Sequence, residues 1–277
     1  MNKLLIIDGH NLLFQMFFGM PSRIPGNDGS DIRGVVGFIG AVNRLLDMIE
    51  PDMLLVMFDG ERENPRKALS EDYKANRPDY SALPDDENPF TQLPKIYTAL
   101  DYMGVPHTET TDCETDDVIA AYALNLGKEN EVYISSFDSD YFQLINKNVK
   151  VIRYRGASSV ICDEAYVKDK YGVDAALYLD FKCLVGDTSD NVTGVRGIGP
   201  KTAAKIVNQL GNLEQIKCRY EELSKEKLVN AIAESTELLD RNYALIKLDG
   251  SAAMPFTPDE LRFKNPRLRT MDVIYGI

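Results

Sequence analysis

The chain has 277 residues, 44% of them hydrophobic, and its 43 Asp and Glu outnumber its 31 Lys and Arg to give a net charge of −12. This composition predicts a soluble globular protein with either one large domain and a smaller companion or two domains. Two histidines and four cysteines without a CxxC pair argue against histidine-rich zinc sites, Ser-His-Asp catalysis and a disulfide framework, and predict a cytoplasmic chain with reduced thiols. No apolar run approaches the ~20 residues of a membrane helix. The acidity argues against a nucleic-acid partner, but that inference depends on where the acids lie.

The first half of the chain alternates strand and helix patterns. Short, fully apolar runs predict strands over Leu4–Ile7, Met53–Phe58, Val132–Phe137 and Val149–Ile152, and a helical pattern separates the first two over residues 35–49. Uninterrupted apolar strands between helices are typical of a parallel sheet that is covered on both faces. The sequence therefore predicts an α/β domain.

Two stretches depart from this alternation. Residues 60–89 are polar, with Asn64 and Pro65 marking a helix start, and long exposed segments of this kind are often functional lids. Helical patterns prevail from Asp163 to the end of the chain, interrupted by a glycine-rich turn over Gly194–Pro200. We therefore expect a helical region to follow the α/β domain.

Acidic residues follow three of the predicted strands directly. Asp8, Asp59 and Asp138 each stand where an apolar run ends. In an open parallel sheet, ligands bind outside the carboxyl ends of the strands, so these three acids should meet at one edge. A single acid at such a place is as readily explained as the N-cap of the next helix. Three together favour a site.

Acids at three further places in the chain add to this edge. Glu114, Asp116 and Asp117 precede one predicted helix, Asp140 follows Asp138 before another, and Asp187 and Asp190 end a helical run. Helix capping needs one acid per helix, which leaves most of these acids without that explanation.

Electrostatics indicates what such a cluster requires. Two like charges about 4 Å apart repel by ~1 kcal/mol in water and by ~4 kcal/mol at an effective dielectric constant near 20. Converging carboxylates must therefore be protonated or neutralised. Oxygen ligands without histidine or thiolate favour Mg²⁺ or Mn²⁺, and so many acids favour two ions, a common arrangement for phosphodiester hydrolysis.

These residues together resemble the flap-endonuclease-type 5′ nucleases, a family that includes the 5′-nuclease domain of bacterial DNA polymerase I and stand-alone relatives. The likeness covers most of the chain, and its specificity lies in the order and spacing of several short stretches. These stretches are Ile7-Asp8-Gly9, Phe58-Asp59, Tyr73 to Pro78, Glu114 to Asp117, Asp138 to Asp140 with Gln143-Leu144, Gly186 to Asn191, and Gly197 to Ala203.

The resemblance implies a fold and a domain division. The fold is an α/β domain with a PIN-like parallel sheet covered by helices, followed by an α-helical helix-hairpin-helix domain. The metal-dependent nuclease domain would span residues 1–175, with a flexible arch over 60–89, and the DNA-binding domain would span 176–277.

The resemblance also implies roles for the nine acids, all of which are present. The first metal ion would be served by Asp8, Asp59, Glu114 and Asp116. The second would be served by Asp138, Asp140, Asp187 and Asp190. Asp117 lies between these groups and would act through metal-bound water.

A basic group accompanies the acids. On a helix, Arg66, Lys74 and Arg77 would fall within about 80° of one another. Without the resemblance, a solvated surface face is the alternative explanation for these three cations. With it, Lys74 and Arg77 are the catalytic arch residues that contact the scissile phosphate and stabilise its developing charge. Arg66 and Tyr73 would bind DNA from the same arch, Tyr73 by stacking on a base.

The glycine-rich turn resembles the hairpin of a helix-hairpin-helix. Gly197 and Gly199 would let a DNA backbone approach, and the helix that follows would offer free N–H groups and the side chains of Lys201 and Lys205 to phosphates. A plain interhelical turn is the alternative. The resemblance further implies a possible K⁺ ion at this hairpin.

Three positions depart from the family pattern. Gln15 replaces a frequent arginine, Ser139 a frequent basic residue and Thr193 a frequent proline. None of them removes an expected metal ligand, so substrate affinity is affected more than chemistry.

The sequence thus predicts a monomeric, cytoplasmic, Mg²⁺-dependent 5′-3′ exonuclease and flap endonuclease, with Mn²⁺ as a substitute ion. Its substrates would be DNA with 5′ flaps, nicks or branches, and RNA–DNA primer ends, as in DNA replication and repair. Two alternatives remain at this point: a non-catalytic protein that binds DNA junctions, and a PIN-type ribonuclease.

Overall fold

A six-stranded sheet forms the centre of the protein. The computed structural model describes residues 1–60, 65–80 and 83–277. The strand order is β3-β2-β1-β4-β5-β6, with the first five strands parallel and the last antiparallel to its neighbour. The strands are β1 (Lys3–Asp8), β2 (Met53–Asp59), β3 (His107–Thr110), β4 (Glu131–Ser135), β5 (Val149–Arg153) and β6 (Val160–Cys162).

Helices cover both faces of this sheet. In the described residues they are α1 (Gly9–Gly19), α2 (Arg33–Ile49), α3 (Leu93–Tyr102), α4 (Thr115–Leu126), α5 (Glu164–Tyr171), α6 (Tyr178–Val185), α7 (Pro200–Leu210), α8 (Leu213–Arg219), α9 (Glu226–Ala233), α10 (Thr236–Ile246) and α11 (Thr270–Gly276). Short 3-10 helices lie at Pro65–Ala68, Pro89–Gln92, Asp140–Leu144, Ala175–Leu177 and Tyr220–Glu222.

Burial on both faces explains the uninterrupted apolar strands. Leu5 and Ile7 pack into one core with α1, α2, α3 and α11, whereas Leu4 and Ile6 pack into the other. The second core continues from α4 through Phe142 into α6, α7 and α10. No side of these strands faces water, so a polar alternation is absent.

The predicted α/β fold with a following helical region is confirmed. The four predicted strands and the helix over 35–49 are present, although β4 ends at Ser135, two residues before the predicted end. Two strands of the six-stranded sheet were missed. β3 is a short polar edge strand and β6 is a three-residue antiparallel strand, so neither has the apolar run that marks a buried strand.

The polar segment differs from the sequence prediction. After the 3-10 helix Pro65–Ala68, the described residues up to 76 form successive turns, and Lys74 has a left-handed φ of 57°. The expectation of one continuous helix face carrying Arg66, Lys74 and Arg77 is therefore wrong. Asn64, the predicted helix cap, lies outside the described residues, as do five other positions of 60–89. The flexibility of this arch stays a prediction.

A short hairpin separates α6 from the glycine-rich turn. Its strands are β7 (Gly186–Asp187) and β8 (Val192–Thr193), and Asn242 of α10 donates hydrogen bonds to the carbonyl of Cys183 in α6 and to the carbonyl of Thr193 in β8. Among the described residues, no helix is long and apolar enough to cross a bilayer.

Candidate active site

The acids that end the strands meet at one edge of the sheet. Asp8 lies beside Met57 in the β1–β2 register, which brings it next to the end of β2 and Asp59. Asp8 also caps α1, because it accepts a hydrogen bond from the Asn11 backbone N–H at 3.1 Å, and Ser136 Oγ donates to its other oxygen at 2.8 Å. Burial and the charge of Asp59 raise the pKa of Asp8 to about 7. Asp8 therefore both caps α1 and contributes a carboxylate to the site.

The first turn of α4 brings two more carboxylates to this edge. Glu114 stands at the N-cap position and is 4% exposed, and Asp116 follows within the first turn. Burial and the neighbouring Asp138 raise the pKa of Asp116 well above its usual value. The buried hydroxyl of Tyr141 donates a hydrogen bond to Asp116. The charges at this edge therefore repel one another strongly.

Three buried carboxylates form the densest part of the site. Asp140, Asp187 and Asp190 each offer an oxygen within 4.8 Å of the others, a spacing that can hold a metal ion. Asp140 begins a 3-10 helix, and the β7–β8 hairpin carries the other two. Burial and Asp138 raise the pKa of Asp140 to about 8. Hard carboxylate oxygens without sulfur or nitrogen donors fit Mg²⁺ or Mn²⁺.

Lys182 is a site residue that the sequence reasoning missed. Its Nζ lies 2.8 Å from Asp140 and also contacts Asp187, and its side chain is 7% exposed. Burial lowers the pKa of Lys182, but the two carboxylates outweigh it and hold the pKa above its usual value. The only signal was a lysine between the apolar residues Phe181 and Cys183 of α6. The contact of Tyr141 with Asp116 was also missed.

The hairpin that carries Asp187 and Asp190 depends on Gly186. This glycine has a φ of 77°, and a Cβ there would lie 2.4 Å from the Gly194 nitrogen and the Val192 oxygen. We expect Gly186→Ala to lower the free energy of unfolding by about 2–4 kcal/mol, since it adds backbone strain to a steric clash. Denaturant unfolding measures this change.

Gly29→Ala is the matched control for that substitution. Gly29 has a φ of 80° but nothing lies within 4 Å of its added Cβ, so only about 1–2 kcal/mol is expected from backbone strain. Equal losses in the two variants would show that the hairpin is not closely packed at Gly186.

The arch cations lie over the acids. Lys74 Nζ is 2.7 Å from Glu114 and 3.8 Å from Asp190, and Arg77 Nη2 is 2.9 Å from Asp190. The backbone N–H of Lys74 also donates to the Asp190 carbonyl at 3.0 Å. The structure thus brings both predicted catalytic cations to the predicted metal site.

Arg66 and Tyr73 occupy buried positions. Arg66 is 8% exposed and contacts Glu114 and Asp117, and Tyr73 is 3% exposed with its hydroxyl near Glu114 and Asp190. A base could stack on Tyr73 only after the ring leaves this position. Binding of DNA by Arg66 and Tyr73 stays a prediction, because in this structure both side chains contact acids of the site.

The glycine-rich turn presents an open surface. Gly197 is exposed with a φ of 83°, Gly199 is the N-cap of α7, and Pro200 is its first residue. Lys201 and Lys205 are exposed one turn apart on α7. This arrangement is compatible with phosphate binding. Phosphate binding and a K⁺ ion at the hairpin both stay predictions.

The three departures from the family pattern make local contacts. Gln15 donates to the Tyr154 carbonyl, Lys182 donates to Ser139 Oγ at 3.3 Å, and the Thr193 carbonyl accepts from Asn242. None of these contacts removes a carboxylate from the site.

Known families match nearly the whole chain. Residues 3–172 match the 5′-3′ exonuclease N-terminal resolvase-like domain, and residues 173–269 match the 5′-3′ exonuclease C-terminal SAM fold. The chain belongs to the 5′-3′ exonuclease family. The resemblance inferred from the motifs is thereby confirmed.

Relatives within this family occur alone and within longer proteins. The chain is 32% identical over 276 residues to a 5′-3′ exonuclease of Aquifex aeolicus, which covers 98% of this chain and 90% of the relative. It is 35% identical over 230 residues to DNA polymerase I of Caldicellulosiruptor bescii, covering 81% of this chain and 26% of that protein. The chain therefore spans about a quarter of the length of this polymerase.

Solved structures of related nucleases share the fold. A structure of the T5 5′-exonuclease with bound divalent zinc ions has a TM-score of 0.74 and 25% identity, covering 89% of this chain and 90% of that one. The catalytic core of Rad2 in complex with DNA substrate has a TM-score of 0.55 at 17% identity, covers 87% of this chain and 77% of that one, and shows the fold alone.

Proposed function

We propose that the chain is a Mg²⁺-dependent, structure-specific 5′ nuclease that hydrolyses DNA phosphodiesters by a two-metal mechanism, as a 5′-3′ exonuclease and flap endonuclease. The position of Lys74 carries this proposal. Its Nζ contacts Glu114 of the first group of acids and lies 3.8 Å from Asp190 of the second. One cation therefore spans both groups, which supports a site built for a phosphate between them.

Eight carboxylates are available for two divalent ions, and three of them, Asp140, Asp187 and Asp190, have oxygens within 4.8 Å of one another. The first would be held by Asp8, Asp59, Glu114 and Asp116, and the second by Asp138, Asp140, Asp187 and Asp190. When bound, the two ions supply the positive charge that activates the attacking water and stabilises the leaving oxygen. Lys74 and Arg77 would stabilise charge that develops on the phosphoryl oxygens. Mn²⁺ has the same ligand preference and should substitute for Mg²⁺.

DNA with 5′ flaps, nicks or branches is the proposed substrate, and RNA–DNA primer ends are included. The zinc-bound T5 5′-exonuclease and the DNA polymerase I relatives support this assignment and a role in DNA replication and repair. We assign the acids of the sheet and the arch to a nuclease domain over 1–175 and duplex binding to 176–277, in a monomeric, cytoplasmic protein.

Cleavage of DNA with a labelled 5′ flap, with and without Mg²⁺, tests this function. We expect release of the flap, and stepwise removal of 5′ nucleotides from the same duplex without a flap, only with Mg²⁺. Binding of the flap without product at saturating Mg²⁺ would identify a junction-binding protein. Cleavage of an RNA strand of the same sequence, with the DNA left intact, would identify a ribonuclease.

Loss of the hairpin lysines should weaken duplex binding. We expect the double variant Lys201→Ala, Lys205→Ala to bind duplex DNA at least about fivefold more weakly, with a salt dependence reduced by about two phosphate contacts. Fluorescence anisotropy over a range of salt concentrations measures both quantities. Lys217→Ala is the control, because Lys217 is paired with Asp240 on the surface of α8. Equal salt slopes in all three proteins would exclude the hairpin as a phosphate site.

A further inference from the structure

The carboxylate of Asp117 is occupied by donors from the protein itself. Its Oδ1 accepts hydrogen bonds from Arg66 Nη2 at 2.7 Å and from the Asp249 backbone N–H at 2.8 Å. Its Oδ2 accepts from Arg66 Nη1 at 3.1 Å. Protein donors therefore take three of the roughly four acceptor positions of this buried carboxylate.

The backbone that Asp117 contacts is held from a second side. The Gln143 amide donates to the Ile246 carbonyl at 3.0 Å and accepts from the Leu248 N–H at 3.1 Å. Arg66 also donates to the Lys247 carbonyl at 3.0 Å. Every residue of the segment 246–249 thus has a backbone hydrogen bond to one of three side chains, and we call this set of contacts the clamp.

The clamp connects the metal-binding elements to the helical region. The proposed function needs these two parts to keep a fixed relation. On the nuclease side, Asp117 is adjacent to Asp116, and Gln143 lies on the 3-10 helix that Asp140 begins. On the helical side, the segment 246–249 begins at the last residue of α10, which packs on α6. Movement of this segment would therefore change the relation between the helical region and the acids.

We propose that Asp117 and Gln143 are positioning residues that clamp segment 246–249 to the metal-binding elements, and that Asp117 does not serve a metal ion. The clamp fixes the distance between the duplex-binding hairpin and the acids. It thereby determines which phosphodiester is cut, a consequence that rests on the proposed function. An isolated structural hydrogen bond would affect stability alone, whereas a positioning contact also affects the position of the cut.

Three measurements on Asp117→Ala and Gln143→Ala test this proposal. The first is amide hydrogen exchange of Leu248 and Asp249 in the absence of DNA. The second is Mg²⁺ binding by calorimetry, with Asp116→Asn for comparison. The third maps the cleavage positions on a flap substrate. Gln143→Ala removes no charge, so it remains informative where Asp117→Ala fails to fold because Arg66 loses a partner.

Asp180→Ala is the matched control for these variants. Asp180 is a buried acid of α6 that accepts the Leu213 backbone N–H at 2.7 Å, and it is not one of the three side chains of the clamp. We expect exchange at the clamped amides to become at least about tenfold faster in Asp117→Ala and Gln143→Ala but not in Asp180→Ala. Cleavage should spread from one main phosphodiester to its neighbours in the first two variants only.

The metal measurement separates the two roles of an acid. We expect Asp117→Ala to bind as many Mg²⁺ ions as the parent protein, with an affinity within about threefold, whereas Asp116→Asn loses affinity. Loss of an ion in Asp117→Ala would overturn the proposal, as would unchanged exchange and an unchanged cut in folded variants of both residues. If the parent protein cleaves no flap, the proposed function fails, while exchange and metal binding still decide the clamp.

Discussion

Asp116→Asn should lower the rate of DNA cleavage by at least about a thousandfold while stabilising the metal-free protein. A divalent ion contributes several kcal/mol of transition-state stabilisation, and each 1.36 kcal/mol corresponds to a factor of ten. The same substitution removes a buried carboxyl group whose ionised form is repelled by Asp138, Asp8 and Asp59. Asparagine still accepts the hydrogen bond from Tyr141. Relief of the repulsion should therefore raise the melting temperature of the metal-free protein by about 2–4 °C.

Single-turnover cleavage and thermal unfolding with and without Mg²⁺ measure these two effects. Asp240→Asn is the control, since Asp240 is an exposed partner of Lys217 and should change neither quantity appreciably. A variant that keeps the parent cleavage rate would refute the assignment of Asp116 to a metal ion. A lower melting temperature would show that attraction between Asp116 and the charge of Lys74 outweighs this repulsion.

Lys74→Ala should slow the chemical step by about 100- to 1,000-fold, the effect of removing one preorganised charge from a transition state. DNA binding should weaken by less than about tenfold, because one ammonium among several cations contributes little to overall affinity. The two effects are separated by single-turnover rates at saturating enzyme and by equilibrium binding in Ca²⁺.

Lys67→Ala provides the matched control on the same segment. Lys67 is an exposed lysine of the 3-10 helix Pro65–Ala68, and its loss changes net charge equally. We expect a rate within about threefold of the parent protein for this variant. If both lysine variants lose the same activity, the effect belongs to the charge of the arch rather than to the placement of Lys74.

The sheet edge could be predicted because two simple rules coincide there. Fully apolar runs are long enough to identify β1, β2, β4 and β5, and the carboxyl ends of parallel strands lie at one edge. The acids at those ends, such as Asp8, were therefore placed near each other without any knowledge of side-chain geometry. Glu114 followed from its position at the start of a helix.

The arch could not be predicted from helical periodicity. Lys74 adopts a left-handed conformation because its backbone N–H bonds to Asp190 and its side chain reaches Glu114, contacts that are distant in sequence. Asn76 and Asn191 add hydrogen bonds between the same two segments. Tertiary contacts of this kind override a local pattern. Because this segment is not one continuous helix, the predicted angular spacing of Arg66 and Arg77 does not apply.

Contacts that compensate charge were equally invisible in the sequence. Lys182 lies five residues before Asp187 on a helix whose neighbours are apolar, and only the folded chain shows that it turns toward Asp140. Asp117 looked like one more acid of the cluster. Its partners Arg66 and Asp249 are 51 and 132 residues away, beyond any local rule.

The core on the α4 face of the sheet has a consequence for how this family can be divided. Residues on both sides of the boundary between 172 and 173 belong to that one core, among them Tyr122, Phe142, Phe181 and Leu239. Separation at this boundary would expose apolar side chains of both pieces to water, at about 25 cal/mol for each Å². The two regions should therefore unfold in a single cooperative transition. A gene fusion or truncation in this family is then tolerated at the ends of the module and not at the boundary inside it.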